Sequence, residues 1–160
     1  MGVITVSEEC ATTVSPDRMY KALVVDAHNL VLKLKMKEVT SADIIEGVAG
    51  EVGCVRVTNF AEGNPVKYLK HRIDSVDKNK MCKLSLIEGD LLFNKIDKVV
   101  YTLKFEASSD GGCVVKISTE VHVKDGQDLD DATVQTAQNK EVEYYKVVAA
   151  HLLANPDFYA

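Results

Sequence analysis

His71 and Tyr101 are the residues of this chain best placed to handle a proton or to meet the polar atom of a bound molecule. Both stand in segments that alternate between apolar and polar residues: Leu69, His71 and Ile73 share one face of the first, and Val99, Tyr101, Leu103 and Phe105 one face of the second. A polar-tipped side chain on an otherwise apolar face needs a partner once buried, and a ligand or a trapped water supplies one. If the protein is an enzyme, His71 is its inward acid or base and Tyr101 its companion, because imidazole titrates near neutral pH. If it is not, the two side chains hydrogen-bond whatever lies against them. Either way, no acid is expected on the inward face beside His71, so the ring is neutral when its surroundings are filled. Protonation would set a charge against an apolar molecule, and binding is expected to weaken as the pH falls through the histidine's titration. A condensing enzyme would want an inward lysine, but alternation turns Lys104, Lys116 and Lys124 outward.

Gly47, Gly50 and Gly53 form a second candidate. Backbone N–H groups of a glycine-rich turn can cradle phosphate, yet a phosphate loop opens a helix and carries a Lys-Ser or Lys-Thr pair. This loop joins two strand-like segments, no lysine follows, and Glu51 opposes an anion, so it reads as a hairpin tip. Cys10, Cys54, Cys82 and Cys113 are scattered singly, without the close pairs of zinc or redox motifs, and read as reduced, buried thiols. No metal and no cofactor is expected.

The elements that must position these residues follow from periodicity. Val3 to Thr12 is an edge strand. Ser15-Pro16-Asp17 starts a short helix through about Val24, and a second spans Ala27 to Leu34. Strands are expected over Lys37 to Glu46, Cys54 to Phe60, Val66 to Ser75, Met81 to Glu88, Lys95 to Glu106 and Cys113 to Val123, with Gly89-Asp90 opening a connection of undefined form. Asp128 to Ala154 is one amphipathic helix of about 40 Å, with Val134, Gln138, Val142, Tyr145, Ala149 and Leu152 on its apolar side. Asp128 is its expected N-cap, and Asn155 an expected left-handed cap before Pro156. Strands followed by a helix mark an α+β domain with an antiparallel sheet, and the helix must lie on that sheet. Alternation then points Phe60, Leu69, His71, Ile73, Cys82, Leu84, Tyr101, Leu103, Phe105, Val115 and Ile117 toward Gln138, Val142 and Tyr145.

The 160 residues, 46% hydrophobic and 27% charged, suit one domain over residues 1–160. A net charge of −5 without a basic stripe argues against nucleic acid as a partner. No run is long enough to span a membrane and the N-terminus lacks a signal-peptide layout, so a cytoplasmic protein is expected.

Several words of the sequence resemble one family over the whole chain: Glu46-Gly47 opening the glycine loop, Tyr68-Leu-Lys-His-Arg-Ile-Asp-Ser-Val-Asp77, Ile87-Glu-Gly-Asp90, Asp110-Gly-Gly112 and Leu152-Leu-Ala-Asn-Pro-Asp-Phe-Tyr159. They are similar to the plant pathogenesis-related class-ten proteins, the family of the major birch pollen allergen. The resemblance implies a helix-grip fold, in which a seven-stranded curved antiparallel sheet wraps a long C-terminal helix and two short helices follow the first strand. It implies a cavity between sheet and helix for hydrophobic plant metabolites such as flavonoids, phenolics, cytokinin-like hormones or alkaloid precursors, and a defence-related carrier or storage role. The ligand-contacting set is then Phe60, Leu69, His71, Cys82, Leu84, Tyr101, Leu103, Gln138, Val142 and Tyr145. Relatives often carry tyrosines where this chain has Cys82 and Leu84, which implies a roomier, more apolar wall. The glycine loop is one residue longer than the family's. A small-molecule isomerase or condensing enzyme is the alternative. The ribonuclease proposed for some relatives fits less well, because the matching positions are Asp97, Ala149 and His151 and one carboxylate is missing. A monomer is expected, with a weak dimer as the alternative.

Overall fold

A computed structural model describes residues 2–35, 37–90 and 95–160. In chain order the elements are β1 (Gly2–Thr12), α1 (Pro16–Tyr20), a π-helical turn (Lys21–Val25), α2 (Ala27–Leu34), β2 (Val39–Glu46), β3 (Val55–Phe60), β4 (Tyr68–Asp77), β5 (Met81–Gly89), β6 (Ile96–Ala107), β7 (Cys113–Val123) and α3 (Asp131–Ala154). The described strands form one antiparallel sheet in the order β1-β7-β6-β5-β4-β3-β2. This is the expected α+β helix-grip architecture, with β1 at an edge. The connection opened by Gly89-Asp90 runs into 91–94, outside the described residues. Register slips between Lys70 and His71 and between Ile73 and Ser75 where β4 meets β5, and such bulges bend and twist a sheet locally.

Helix α3 starts later than its charge pattern suggests. Asp130, not Asp128, is the N-cap, and its side chain accepts a hydrogen bond from the Thr133 N–H at 2.8 Å. Leu129 before the cap and Val134 in the first turn pack into the same apolar cluster, the staple that fixes the chain's entry into a helix. Asp128 lies outside because that staple sets the start. At the other end Asn155 has a negative φ of −132° and is no left-handed cap. The Arg18 guanidinium takes up the carbonyls there instead, donating to Leu152 and Asn155 at 3.0 Å each and to Phe158 at 2.9 Å. A cation at a helix C-terminus also opposes the helix dipole.

The core lies in two parts. The larger joins α1, the π-helical turn, β5 to β7 and the second half of α3, and the smaller gathers Val6, Leu86, Val99, Val121 and Val134 at the other end. Near the smaller part Thr119 Oγ1 donates to Gln138 Oε1 at 2.7 Å, within the buried interior. All four cysteines are free and buried. Among the described residues no helix is long and apolar enough to cross a membrane.

Candidate functional site

The concave face of the sheet and α3 do not meet along their whole length. A cavity of about 180 Å³ remains between them. Its sheet wall is Arg56, Thr58 and Phe60 of β3, Leu69 and His71 of β4, Leu84 of β5, and Tyr101 and Leu103 of β6. Its roof is Glu141, Tyr144 and Tyr145 of α3, and its end is closed by Ala22 and Leu23 of the π-helical turn, Ala27 and Val31 of α2, Lys35 just beyond it, and Val39. A smaller void of about 30 Å³ adjoins it, sharing Leu23, Arg56, His71, Leu84 and Leu103 and reaching Cys54 and Cys82.

Strand alternation accounts for the sheet wall. Antiparallel partners face the same side, and Arg56 pairs with His71 and Thr58 with Leu69 in register. Of the residues expected to contact a ligand, Phe60, Leu69, His71, Leu84, Tyr101, Leu103 and Tyr145 line the main cavity. Cys82 reaches the smaller void alone. Gln138 and Val142 line neither: the carbonyl oxygen of Gln138 accepts from Thr119 of β7, and Val142 packs in the larger core. The glycine loop also stands apart. The Glu51, Gly53 and Cys54 N–H groups donate to the carbonyls of Val48, Ile73 and Glu51, which leaves them no anion to cradle. At Gly50, φ is +82° and a Cβ would come within 3.1 Å of the Val25 backbone, so the loop closes down on the π-helical turn. The positions matched to nuclease groups are also scattered: Asp97 is exposed on β6, Ala149 is buried, and the His151 ring packs on Phe158 with centroids 5.3 Å apart.

The cavity contains charges that alternation along β4 and β6 does not reveal. The expectation that His71 is the sole inward acid or base, with no acid near it, is corrected by Glu141, which enters from the helix. It lies three residues after Gln138 and four before Tyr145, on the sheet-facing stripe of α3, so its spacing was the available signal. Arg56 could have been found in the same way, two alternations from Phe60. Burial pushes the Glu141 carboxyl above its usual range, against the opposing pull of Lys35 and Arg56. Burial, and then Arg56, lowers the His71 imidazole to about 3. Burial raises the hydroxyls of Tyr101, Tyr144 and Tyr145, with the nearby Glu141 adding to each. His71, Tyr101 and Glu141 are only half-buried by surface area, though protein surrounds them, because they give onto the cavity. Arg56 Nε and His71 Nδ1 are buried without a hydrogen-bond partner among the described residues, and Lys35 Nζ sits 4.8 Å from the Tyr144 ring centroid.

The model of the pathogenesis-related protein Bet v 1 family matches residues 1–155. The chain belongs to this family. Its relatives include the pathogenesis-related protein STH-2 of Solanum tuberosum, 45% identical over the full length of both chains. Among solved structures, the Bet v 1 family chain resembles Ara h 8.0201, with a TM-score of 0.83 and 31% identity over 96% of this chain and 100% of the other. Norcoclaurine synthase from Thalictrum flavum, solved with dopamine and hydroxybenzaldehyde, has a TM-score of 0.71 over 94% of this chain and 88% of its own. At 22% identity that likeness concerns the fold alone. The Bet v 1 helix-grip is thus common to proteins named for pathogenesis and to a named synthase.

Proposed function

We propose that the protein is a cytoplasmic carrier or storage protein for a hydrophobic plant metabolite, such as a flavonoid, another phenolic, a cytokinin-like hormone or an alkaloid precursor, with a role in defence. The observation that carries this reading is the cavity itself, about 180 Å³ in a domain of this size, walled by apolar and aromatic side chains with a few polar tips, the composition of small-molecule sites. The contacts are assigned to Phe60, Leu69, His71, Leu84, Tyr101, Leu103 and Tyr145. An anilinonaphthalene sulfonate titration tests it: the native protein is expected to saturate at one dye per chain and to release it to flavonoids or cytokinins. Dye binding confined to partly denatured protein would sink the reading.

A second reading, a small-molecule isomerase or condensing enzyme, is favoured by one observation. Glu141 joins His71 and Tyr101 in one enclosed space, and a buried carboxyl with a raised pKa is suited to proton transfer near neutral pH. The acid–base role then moves from His71 to Glu141, because an imidazole held at about 3 is a weak base. Native mass spectrometry of protein from its own tissue separates the two, since a carrier retains one molecule unchanged and an enzyme yields its product.

A further inference from the structure

Arg56 is a guanidinium turned into an enclosed space with too little to hold. Its Nε–H is buried and finds no acceptor among the described residues, and no ion pair ties it to Glu141 on the opposite wall. A desolvated donor left unpaired is costly. Beside it, His71 Nδ1 is also buried and unpartnered.

We propose that the cavity is a socket for an amphipathic organic anion, a carboxylate carried on an apolar ring system, with the carboxylate on Arg56 and His71 and the rings along Leu23, Leu84 and Leu103. This rests on reading the cavity as a binding site. The place of the head follows from geometry, because these five residues line both the main cavity and the adjoining void, so a group at the junction lies against both the Arg56 and His71 side chains. The sign of the head follows from the charge census. Among the described residues, Arg56 from β3 and Lys35 from the end of α2 face the cavity as cations, Glu141 from α3 faces it as the sole acid, and His71, Tyr101, Tyr144 and Tyr145 complete the titratable groups on its walls. Burial biases Glu141 toward its neutral form and His71 toward neutral imidazole, so the enclosed field is positive. An amine would meet that field unfavourably. The planar guanidinium suits a carboxylate, which can accept two of its N–H groups, and the cost of desolvating Arg56 is already met in the empty fold. His71 adds a second donor in the tautomer that carries hydrogen on Nδ1.

The test uses 2-naphthoate, its neutral methyl ester and 2-naphthylmethylamine, titrated calorimetrically at pH 7 into the wild-type protein, Arg56→Met and Arg56→Lys. The wild type is expected to bind the acid at least about tenfold more tightly than the ester and to bind the amine least. Arg56→Met should erase the preference, with a cooperative thermal transition reporting that the variant is folded, and Arg56→Lys should restore part of it. Equal affinity for acid and ester in the wild type, a preference for the amine, or a preference surviving in Arg56→Met would overturn the anion socket while leaving the carrier reading intact. Failure of all three probes to bind would overturn the carrier reading, and the socket with it. The wild-type comparison alone decides the sign of the head, even if the variants prove unstable.

Discussion

The rings of His71 and Tyr101 lie 5.7 Å apart, centroid to centroid, inclined at 56°, although β4 and β6, which carry them, are separated by β5. On a flat sheet two such backbones lie roughly 10 Å apart, with side chains standing perpendicular. The rings meet because the sheet is concave and both point toward its centre of curvature. The same curvature lifts α3 away from the middle strands and leaves the cavity between them.

Burial of His71 makes stability depend on pH in a defined direction. The folded imidazole titrates at about 3 and the unfolded one at about 6.5. Between those values the unfolded chain binds a proton that the folded chain refuses, so the His71 contribution is intact above about pH 6.5 and is lost as pH falls toward 3. His71→Gln should flatten the acid side of the stability curve by up to about 1.4 kcal/mol per pH unit. Urea midpoints at a series of pH values measure this, and an unchanged slope would refute it. The same displacement corrects the expected effect on binding: affinity for a neutral ligand should be flat between about pH 5 and 7.5 as far as His71 is concerned.

Glu141 has the opposite sign. Its folded pKa is raised, so above the ordinary carboxylate range the unfolded chain loses a proton more readily, and the charged carboxylate opposes folding. Glu141→Gln should raise the thermal midpoint at pH 7, with the gain shrinking as pH falls through that range. A variant less stable than wild type at pH 7 would mean that Arg56 and Lys35 outweigh desolvation.

Leu152, fully buried in the last turns of α3, should anchor the helix to the larger core. Leu152→Ala is expected to cost roughly 2–4 kcal/mol in denaturant unfolding. A loss below about 1 kcal/mol, well under the usual Leu→Ala range, would show that the end of α3 contributes little.

Arg18 should hold down the segment after α3. Replacing it with methionine removes three hydrogen bonds to carbonyls, an expected loss of about 1–2 kcal/mol given its partial exposure. Hydrogen exchange across 153–159 should accelerate, while β6 and β7 keep their protection. Unchanged exchange there would show that the Tyr159 hydroxyl, which donates to Asp26 at 2.5 Å, suffices to fix the tail.

Most of the fold was legible because its signals are local. The Cys113–Val123 strand and the Ala27–Leu34 helix have the bounds that alternation and helical spacing set. The start of α3 was misplaced because three acids within four residues all resemble caps, and the choice of Asp130 is fixed by Leu129 and Val134 packing on Val6, Leu86, Val99 and Val121, which is tertiary. The site was half legible. Alternation marks the apolar wall and the His71–Tyr101 pair, but Arg56 and Glu141 are charged, and an inward charge breaks the apolar pattern that alternation reads. Gln138 and Val142 share the buried side of α3, yet they face the packed part of the sheet, and periodicity alone does not show where a curved sheet parts from its helix.

The four buried thiols make the chain a set of internal clocks for its own opening. An alkylating reagent needs both access and thiolate, and burial pushes the Cys82 thiol up to about 12, that of Cys113 to about 11 and that of Cys10 upward as well, so labelling of these sites counts excursions from the native state. Because Cys54 and Cys82 border the void beside the cavity whereas Cys10 and Cys113 sit on β1 and β7, a molecule in the cavity should slow the first two more than the second two. The ratio of modification rates, read peptide by peptide in a mass spectrometer, would then locate an unlabelled guest of unknown structure without a crystal.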